Sequence, residues 1–304
     1  MDMNASHLGR TGTAELVPSR YALRVGEIDV LVISDGVLPL PPTTIATNGD
    51  PAEMAAWVDD MRLPPGKFWW PLNVVVVRSG GRTILIDAGL GADPDLNLPR
   101  AGRTVQRLEA AGIDLTSVTD VVLTHLHMDH CGGLVVDGVR ERLRPDLRIH
   151  VAAAEVEFWA SPDFSRVSMP PGFPDALRRT GKRFLKEYHS QLRTFENDYE
   201  VAPGVIARRT GGHTPGHSVV RLASGGDRLT FAGDAVFQVG FEHPDWFNGF
   251  EHDPEEAARV RVRLLRELAA NRESLVATHL SFPSVCHVAV DGDVFRWVPG
   301  PWEY

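Results

Sequence analysis

The stretch that decides the fold of this chain is VVLTHLHMDHCGG, which runs from Val121 to Gly133. An apolar run opens it, and four metal-type side chains then follow within six residues: His125, His127, Asp129 and His130. Neutral imidazole and carboxylate groups bind zinc and related metals, and catalytic metal sites keep one position open for water. The stretch therefore indicates a buried strand that ends in a metal site, and four adjacent ligands indicate two ions side by side.

Other candidate ligands follow other apolar runs further along the chain. His213 stands in GGHTPGHS, Asp234 follows LTFAG, and His279 follows LVAT. Because strand ends can meet at one rim of a sandwich, we expect these three side chains to complete the sites for both ions. A lone histidine is more often structural than a metal ligand, so His217 is expected to hydrogen-bond locally and His252 to be a surface or structural residue.

Composition and charge exclude several classes of protein. The 304 residues are 43% hydrophobic and 23% charged, which is ordinary for a globular chain. The net charge of −9 and the lack of a Lys/Arg block argue against a nucleic-acid partner. The apolar runs are shorter than the ~20 residues of a membrane span, so no membrane partner is expected. The two cysteines, Cys131 and Cys286, and an N-terminus without an apolar signal region favour a cytoplasmic location.

The order of predicted strands and helices indicates one domain over residues 1–304, with residues 1–24 as an N-terminal arm. The segment LNVVVVRSGGRTILIDAG predicts a hairpin of two apolar strands around a Ser-Gly-Gly turn. Asp50 is placed to cap a helix over Pro51–Met61, and Asp253 to cap the helix that follows it. Strands with helices outside them occur in both halves, which predicts two sheets packed on each other.

Four motifs, THLHMDHCGG, GGHTPGHS, FAGD and ATHLSFP, together resemble the successive motifs of the metallo-β-lactamase superfamily. The resemblance covers roughly Val25 to Trp297 and implies an α/β fold, the four-layer αββα sandwich, with two metal ions at one edge. It also implies that Asp87 in ILIDAG supports the site. The implied cofactors are two divalent metal ions per chain, with Zn²⁺ expected and Mn²⁺, Co²⁺ or Fe²⁺ as alternatives. The ligands implied are His125, His127 and His213 for the first ion, Asp129, His130 and His279 for the second, and Asp234 as the bridge.

Within the superfamily, the resemblance is strongest to the methyl parathion hydrolase and lactonase-like group. It rests on VLVISDG near the N-terminus, HLSFPSVCHV after the last ligand, and FRWVP in the tail. Many N-acyl-homoserine lactonases carry a Tyr three residues after the bridging Asp, where this chain has Phe237, which weakens the lactonase interpretation. Asp234 stands where many true β-lactamases have Cys, which argues against antibiotic hydrolysis. Relatives with a similar N-terminal arm are often dimers, so a homodimer is expected.

The function implied by the resemblance is that of a dinuclear metal-dependent hydrolase of the lactonase, esterase or phosphotriesterase type. A hydroxide that bridges the two ions would attack a small-molecule substrate, which is a neutral hydrophobic lactone, aryl ester or phosphotriester. Asp129 is the expected catalytic residue, because it is a neighbour of that hydroxide and can carry its proton to the leaving group. The alternative is an iron-dependent oxidoreductase of the same superfamily, of the sulfur dioxygenase type. The complete ligand set argues against a non-catalytic scaffold, and the net charge against an RNA phosphodiesterase.

Eight aromatic side chains are candidates for a substrate pocket. An apolar pocket over the metals would bind neutral hydrophobic substrates and disfavour charged ones, because a charge loses its hydration there. The alternative interpretation is that these rings are core or dimer contacts. The candidates lie in GKFWWP, in the stretches that follow Asp234, and in HLSFP, and they are Phe68, Trp69, Trp70, Phe237, Trp246, Phe247, Phe250 and Phe282.

Overall fold

Two β-sheets form the centre of the computed structural model, which describes residues 17–63, 66, 68–93, 95–96 and 98–302. Within these residues each sheet has seven strands, and the strands lie side by side in chain order. The first sheet consists of β1 (Arg20–Val25), β2 (Ile28–Leu40), β3 (Phe68–Ser79), β4 (Arg82–Ile86), β5 (Asp120–Val122), β6 (Arg148–Ala152) and β7 (Leu192–Phe195). The second consists of β8 (Tyr199–Ala202), β9 (Val205–Arg209), β10 (Ser218–Ser224), β11 (Asp227–Phe231), β12 (Ser274–Val276), β13 (Cys286–Asp291) and β14 (Val294–Pro299).

Helices cover the outer faces of both sheets. Side chains of the first five helices join the core on the outer face of the first sheet, and the last helix packs on the second sheet. A third buried cluster lies between the sheets and takes side chains from both. The four layers are therefore helix, sheet, sheet and helix, as the sequence predicts. The helices are α1 (Pro51–Asp60), α2 (Thr104–Ala110), α3 (Met128–Cys131), α4 (Ala153–Ala160), α5 (Phe173–Tyr188), α6 (Val239–Glu242) and α7 (Pro254–Asn271).

The valine run of β3 shows why this strand is apolar on both faces. Successive side chains of a strand point to opposite sides of the sheet. Val74 and Val76 lie in the outer core beneath the helices, whereas Val75 and Val77 lie in the core between the sheets. Because both faces of the first sheet are covered, a strand in its middle reads as a continuous hydrophobic run rather than an alternating one.

Several predicted local structures are confirmed. Asp50 caps α1, since its Oδ1 accepts hydrogen bonds from the backbone N–H groups of Ala52 and Glu53 at 2.8 and 3.2 Å. The predicted hairpin is formed by β3 and β4, which pair antiparallel. Residues 20–24, predicted to belong to an N-terminal arm, lie instead in β1, which pairs with β2. Residues 1–16 of that arm lie outside the described residues.

No helix in the described part of the chain is both long enough and apolar enough to cross a lipid bilayer.

Parallel pairing places several strand ends at the same rim of the sandwich. In the first sheet β4, β5, β6 and β7 pair in parallel, and in the second β11 pairs in parallel with β12. Ligand sites in α/β proteins commonly lie at the carboxyl ends of parallel strands. The loops that follow β5, β11 and β12 contain most of the candidate metal ligands, so the topology brings these segments together.

Asn73 ties the two sheets together beside this rim. It lies in β3 of the first sheet, is fully buried, and donates through Nδ2 to the carbonyl oxygens of Thr278 and Leu280 at 3.0 and 2.7 Å. Its backbone N–H also donates to the carbonyl of Thr278 at 3.0 Å. These bonds hold the loop after β12, which carries His279, against the first sheet.

Asn73→Asp is expected to lower the free energy of unfolding by at least about 2 kcal/mol. A carboxylate cannot donate to the two carbonyls, and it leaves a buried polar group without a partner. Asn197→Asp, at an exposed position, is the matched control and should change stability by less than about 0.5 kcal/mol. Urea unfolding followed by circular dichroism measures both, and equal midpoints for the two variants would contradict the assigned role of Asn73.

Candidate metal centre

Seven candidate ligands converge at one rim of the sandwich, with nearly all of their side-chain surface buried. Four of them follow β5, and the others precede β10 or follow β11 and β12. The most exposed is Asp129, whose side chain is 12% exposed and faces a cleft. The structure brings them together in two groups: His125, His127, His213 and Asp234 in the first, and Asp129, His130 and His279 in the second.

The first group has three imidazoles and one carboxylate. One nitrogen or oxygen atom of each residue lies within 4.8 Å of the corresponding atoms of the others. His127 Nδ1 lies 3.1 Å from His213 Nε2, and His213 Nε2 lies 3.3 Å from Asp234 Oδ2. His125 Nε2 approaches the same oxygen at 4.0 Å. Three nitrogens and one oxygen that face a common point are the ligand set of a zinc-type site.

The second group shares Asp234 with the first. Asp129 Oδ2 lies 3.5 Å from the Nε2 atoms of both His130 and His279. Asp234 Oδ1 lies 3.1 Å from His130 Nε2, and its Oδ2 lies 3.1 Å from His279 Nε2. The Asp234 carboxylate therefore contacts histidines of both groups, which is the placement that a bridging ligand requires.

Several buried polar atoms at this centre lack a hydrogen-bond partner. Within the described residues this holds for His125 Nε2, His130 Nε2 and Asp234 Oδ1. Each buried polar group without a partner costs about 1–3 kcal/mol, and native proteins contain few of them. Metal ions at the two groups would satisfy all three atoms at once. The donor set and its unsatisfied atoms thus fit two divalent ions.

Burial keeps the imidazoles of the first group neutral. It is the main cause that holds the pKa of His125, His127 and His213 well below the usual 6.5. In His125 the neighbouring imidazoles lower the pKa further. Neutral imidazole is the form that binds metal. The first group is therefore in its ligating form at neutral pH.

The second group holds a balance of opposite charges. Burial lowers the pKa of His130 and His279, but Asp234 and Asp129 outweigh it and raise the pKa of both histidines. Burial likewise raises the pKa of Asp234, but His279 and His130 outweigh it and hold that pKa well below 3.8. The carboxylates are ionised and need positive charge beside them. A divalent cation would supply that charge and displace the protons.

Asp87 contacts a histidine of the second group, in line with the supporting role that the family resemblance implies. Its Oδ2 lies 2.7 Å from His130 Nδ1, and its Oδ1 accepts from the backbone N–H of Thr124 at 2.8 Å. A carboxylate behind a ligating histidine fixes the orientation of the ring and raises its basicity. Asp87 has a φ of +56°, a conformation that residues other than glycine seldom adopt. The fold holds this backbone in place and so aims the carboxylate at His130.

Hydrogen bonds to ring nitrogens fix the orientation of two histidines at the centre, His279 and His217. His279 Nδ1 lies 2.9 Å from the carbonyl oxygen of Pro71. His217 accepts from the backbone N–H of Asp234 at 3.1 Å, and its Nδ1 lies 2.7 Å from Thr210 Oγ1. Burial lowers the pKa of His217 to about 4. His217 thus forms the predicted local hydrogen bonds and orients the backbone that carries Asp234.

Glu155 connects two ligand loops of the first group, and the sequence analysis missed it. Its Oε1 accepts from the backbone N–H of Leu126 at 2.9 Å and from Trp159 Nε1 at 2.7 Å. Its Oε2 accepts from Thr214 Oγ1 at 2.7 Å and from the backbone N–H of Gly216 at 2.9 Å. Leu126 lies between two ligands of the group, and Thr214 follows the third. No pattern near Glu155 signals this role, because three of its four partners are distant in sequence.

A narrow cleft with a volume of about 20 Å³ leads to the ligands of both groups. Apart from ligand side chains, its walls are apolar and come from β2, β3, α3, α5 and the loop before α7. Trp70 and Phe250 are predicted here from the sequence, whereas the contributions of β2, α3 and α5 are not. The apolar residues that line the cleft are Leu38, Leu40, Trp70, Met128, Phe173, Leu177 and Phe250.

The other six predicted pocket aromatics do not line this cleft within the described residues. Phe68, Phe237 and Trp246 are buried in the core. Trp69 is half-buried, whereas its neighbours Phe68 and Trp70 on β3 are buried. Successive side chains of a strand point to opposite faces of the sheet, which explains this difference. Phe282 packs against the cluster between the sheets. The interpretation as core contacts fits Phe68, Phe237, Trp246 and Phe282, whereas Trp69 and Phe247 are half-buried.

Comparison with known proteins identifies relatives of this sequence. The profile described as the Metallo-beta-lactamase superfamily matches residues 68–279. An N-acyl homoserine lactonase of Bacillus sp is 26% identical over 179 residues, which are 57% of this chain and 60% of that protein. The atrochrysone carboxyl ACP thioesterase of Passalora fulva is 32% identical over 178 residues, which are 58% of this chain and 41% of that protein. Each match thus spans less than two thirds of the curated relative.

A solved structure shows the same fold over almost the whole chain. It is that of AidC, a dizinc quorum-quenching lactonase in complex with a product, and it superposes with a TM-score of 0.82. The superposition covers 94% of this chain and 99% of AidC at 24% sequence identity. At this identity the likeness establishes the shared fold.

The purified protein is expected to hold two divalent ions per chain, because the two groups offer two sets of converging ligand atoms. His279→Ala removes a ligand from the second group alone and should lower the content to about one ion. His189→Ala, at an exposed position, is the matched control and should keep both. Elemental analysis by plasma mass spectrometry after dialysis measures the content. A wild-type protein with one ion, unchanged in His279→Ala, would refute the dinuclear centre.

Proposed function

Because the chain belongs to the metallo-beta-lactamase superfamily, we propose that it is a metal-dependent hydrolase of neutral, hydrophobic esters. Lactones and aryl esters are the proposed substrate classes, phosphotriesters are a third, and Zn²⁺ is the proposed metal. The observation that carries the proposal is the apolar cleft that leads directly to the two ligand groups. A homodimer and a cytoplasmic location stay predictions.

The walls of the cleft favour uncharged substrates. Its described lining contains no Lys or Arg, and its charged or titratable side chains are the candidate ligands themselves. An anionic substrate group would therefore lose its hydration without gaining a counterion from these walls. An acyl chain or an aryl ring, in contrast, gains about 25 cal/mol for each Å² of apolar surface that it buries.

The two ligand groups determine the kind of reaction. Two divalent ions bound there would lower the pKa of a water molecule and polarise the carbonyl or phosphoryl oxygen of the substrate. Asp129 is the carboxylate of the second group that also lines the cleft. We assign to it the transfer of a proton from the attacking water to the leaving group. No serine or cysteine nucleophile lines the described part of the cleft, and water is the proposed nucleophile.

The relatives favour an acyl bond as the one that is cleaved. One is named a lactonase and another a thioesterase, and both names refer to hydrolysis at a carbonyl carbon. Phe237, which replaces the tyrosine of many lactonases, stacks on Trp70 with ring centroids 6.1 Å apart. Arg261 covers it at 4.3 Å. Phe237 thus packs behind the cleft wall, so apolar contacts are proposed to hold the substrate here.

Neutral substrates are expected to exceed matched anionic ones in kcat/KM by at least about 10-fold, since a charged group is costly to desolvate in this cleft. The matched pair is 4-nitrophenyl hexanoate and the 4-nitrophenyl monoester of glutaric acid, whose chains are similar in length. The zinc- and manganese-loaded protein is assayed with both, and with an N-hexanoyl lactone and an aryl phosphotriester. Equal rates on the pair, or a preference for the anion, would contradict the proposed substrate class.

Asp129→Asn is expected to lower kcat by at least about 100-fold at saturating metal, the low end for a general acid–base residue. The variant keeps the size of the side chain and loses its charge and basicity. Asp137→Asn, whose side chain is 93% exposed, is the control and should match the wild type. Steady-state rates and the metal content are measured on the same preparation of each variant. A near-normal kcat in Asp129→Asn would limit Asp129 to metal binding.

A further inference from the structure

His252 is a buried histidine that the ligand groups do not include. It lies just before α7, and 9% of its surface is exposed. The rings of Phe158 and Phe164 pack around it, with centroids 4.8 and 5.3 Å from its own. From the sequence alone, it is expected to be a surface or structural residue. Its contacts with the first ligand group indicate a more specific role.

The side chain of His252 contacts His127 on the side away from the other ligands. His127 Nδ1 faces the first group, 3.1 Å from His213 Nε2. His127 Nε2 lies 3.4 Å from His252 Nε2, and His252 Nδ1 lies 3.2 Å from the carbonyl oxygen of Asp163. His127, His252 and the carbonyl of Asp163 therefore form a row of hydrogen bonds that ends on a main-chain oxygen.

The carbonyl of Asp163 determines which ring nitrogen carries the proton in His252 and in His127. A carbonyl oxygen only accepts hydrogen bonds, so His252 Nδ1 carries a proton and donates it to Asp163. An imidazole that carries its proton at Nδ1 has a lone pair at Nε2. That lone pair accepts from His127 Nε2–H. In turn, His127 keeps its lone pair at Nδ1, the atom that faces the other ligands.

The backbone of His252 contacts the same ligand group. Its N–H donates to the carbonyl of His213 at 2.8 Å, and the next N–H, of Asp253, donates to the carbonyl of Gly212 at 3.0 Å. The segment thus bonds to two ligands of the first group, once through a side chain and once through the main chain.

We infer that His252 is a positioning residue that selects the tautomer and the ring orientation of His127 and thereby sets the metal affinity of the first ligand group. The inference rests on the metal centre of the proposed function. Hydrogen-bond partners of this kind commonly change metal affinity by about 10- to 100-fold when they are removed. Since no contact joins His252 to Asp129, His130 or His279 within the described residues, the second group should keep its affinity.

Histidine tautomers in the wild-type protein test the inference without any substitution. In metal-free protein labelled with ¹⁵N-histidine, two-bond ¹H–¹⁵N correlations report which ring nitrogen carries the proton. We expect the proton on Nε2 of His127 and on Nδ1 of His252. A proton on Nε2 of neutral His252 would overturn the inference.

Metal affinity in variants tests it independently. His252→Phe keeps a ring of similar shape but removes the acceptor, and His252→Gln restores an acceptor oxygen. His189→Phe, at an exposed position, is the control. Zinc is titrated into the metal-free full-length protein in competition with a chromophoric chelator. We expect one of two binding steps to weaken by about 10- to 100-fold in His252→Phe, to recover in His252→Gln, and to be unchanged in the control.

The His279→Ala background assigns the affected step, because only the first group is complete there. In that background His252→Phe should weaken the remaining step by the same factor. Equal loss of both steps, together with a lower Tm of the metal-free protein, would mean a merely structural role and overturn the inference. If the wild type binds two ions and His252→Phe binds them equally well, the inference alone fails. If the wild type binds none, the proposed function fails with it.

Discussion

The carboxylate of Asp234 is buried between histidines, away from water. The surrounding structure must place positive or hydrogen-bonding groups beside this negative charge. Removing a carboxylate from water costs several kcal/mol unless positive or hydrogen-bonding partners replace the water. Here His130, His213 and His279 lie within 3.1–3.3 Å of its oxygens. These histidines come from three separate segments of the chain. The loops that carry these histidines must therefore be held in one conformation by contacts with the rest of the fold.

Buried hydrogen bonds behind the ligands provide these contacts. Asp87 orients His130, Asn73 holds the loop that carries His279, and Glu155 joins two loops of the first group. Each of these three side chains is fully buried. Each also bonds to main-chain groups, so it fixes the course of the backbone as well as the direction of one ring. Asn73 and Asp87 belong to the first sheet and the turn that follows it, and Glu155 belongs to α4, so the position of the centre depends on the packing of several elements.

The sequence predicts the parts of this arrangement that depend on local chemistry. The ligand groups follow from the residue types of the motifs, and α1 with its Asp50 cap follows from helix-end preferences. Glu155 escapes prediction because its partners Leu126, Thr214 and Gly216 are brought together only by the fold. The cleft is not predictable for the same reason. Its Phe173 and Leu177 come from α5, whose sequence predicts an amphipathic helix but not the part of the molecule on which that helix packs. A ring such as Phe237 has the same local pattern whether it lines a cleft or packs behind its wall.

The ligands of the first group come from residues 125 to 234, and those of the second from residues 129 to 279, on loops of both sheets. An ion bound at either group would therefore act as a cross-link that exists only in the folded chain. Mass action then couples the fraction of folded protein to the concentration of free metal: each tenfold rise above the dissociation constant adds about 1.4 kcal/mol per site. Scarcity of metal would in this way reduce the amount of folded chain as well as its activity, and chelation would expose it to proteolysis.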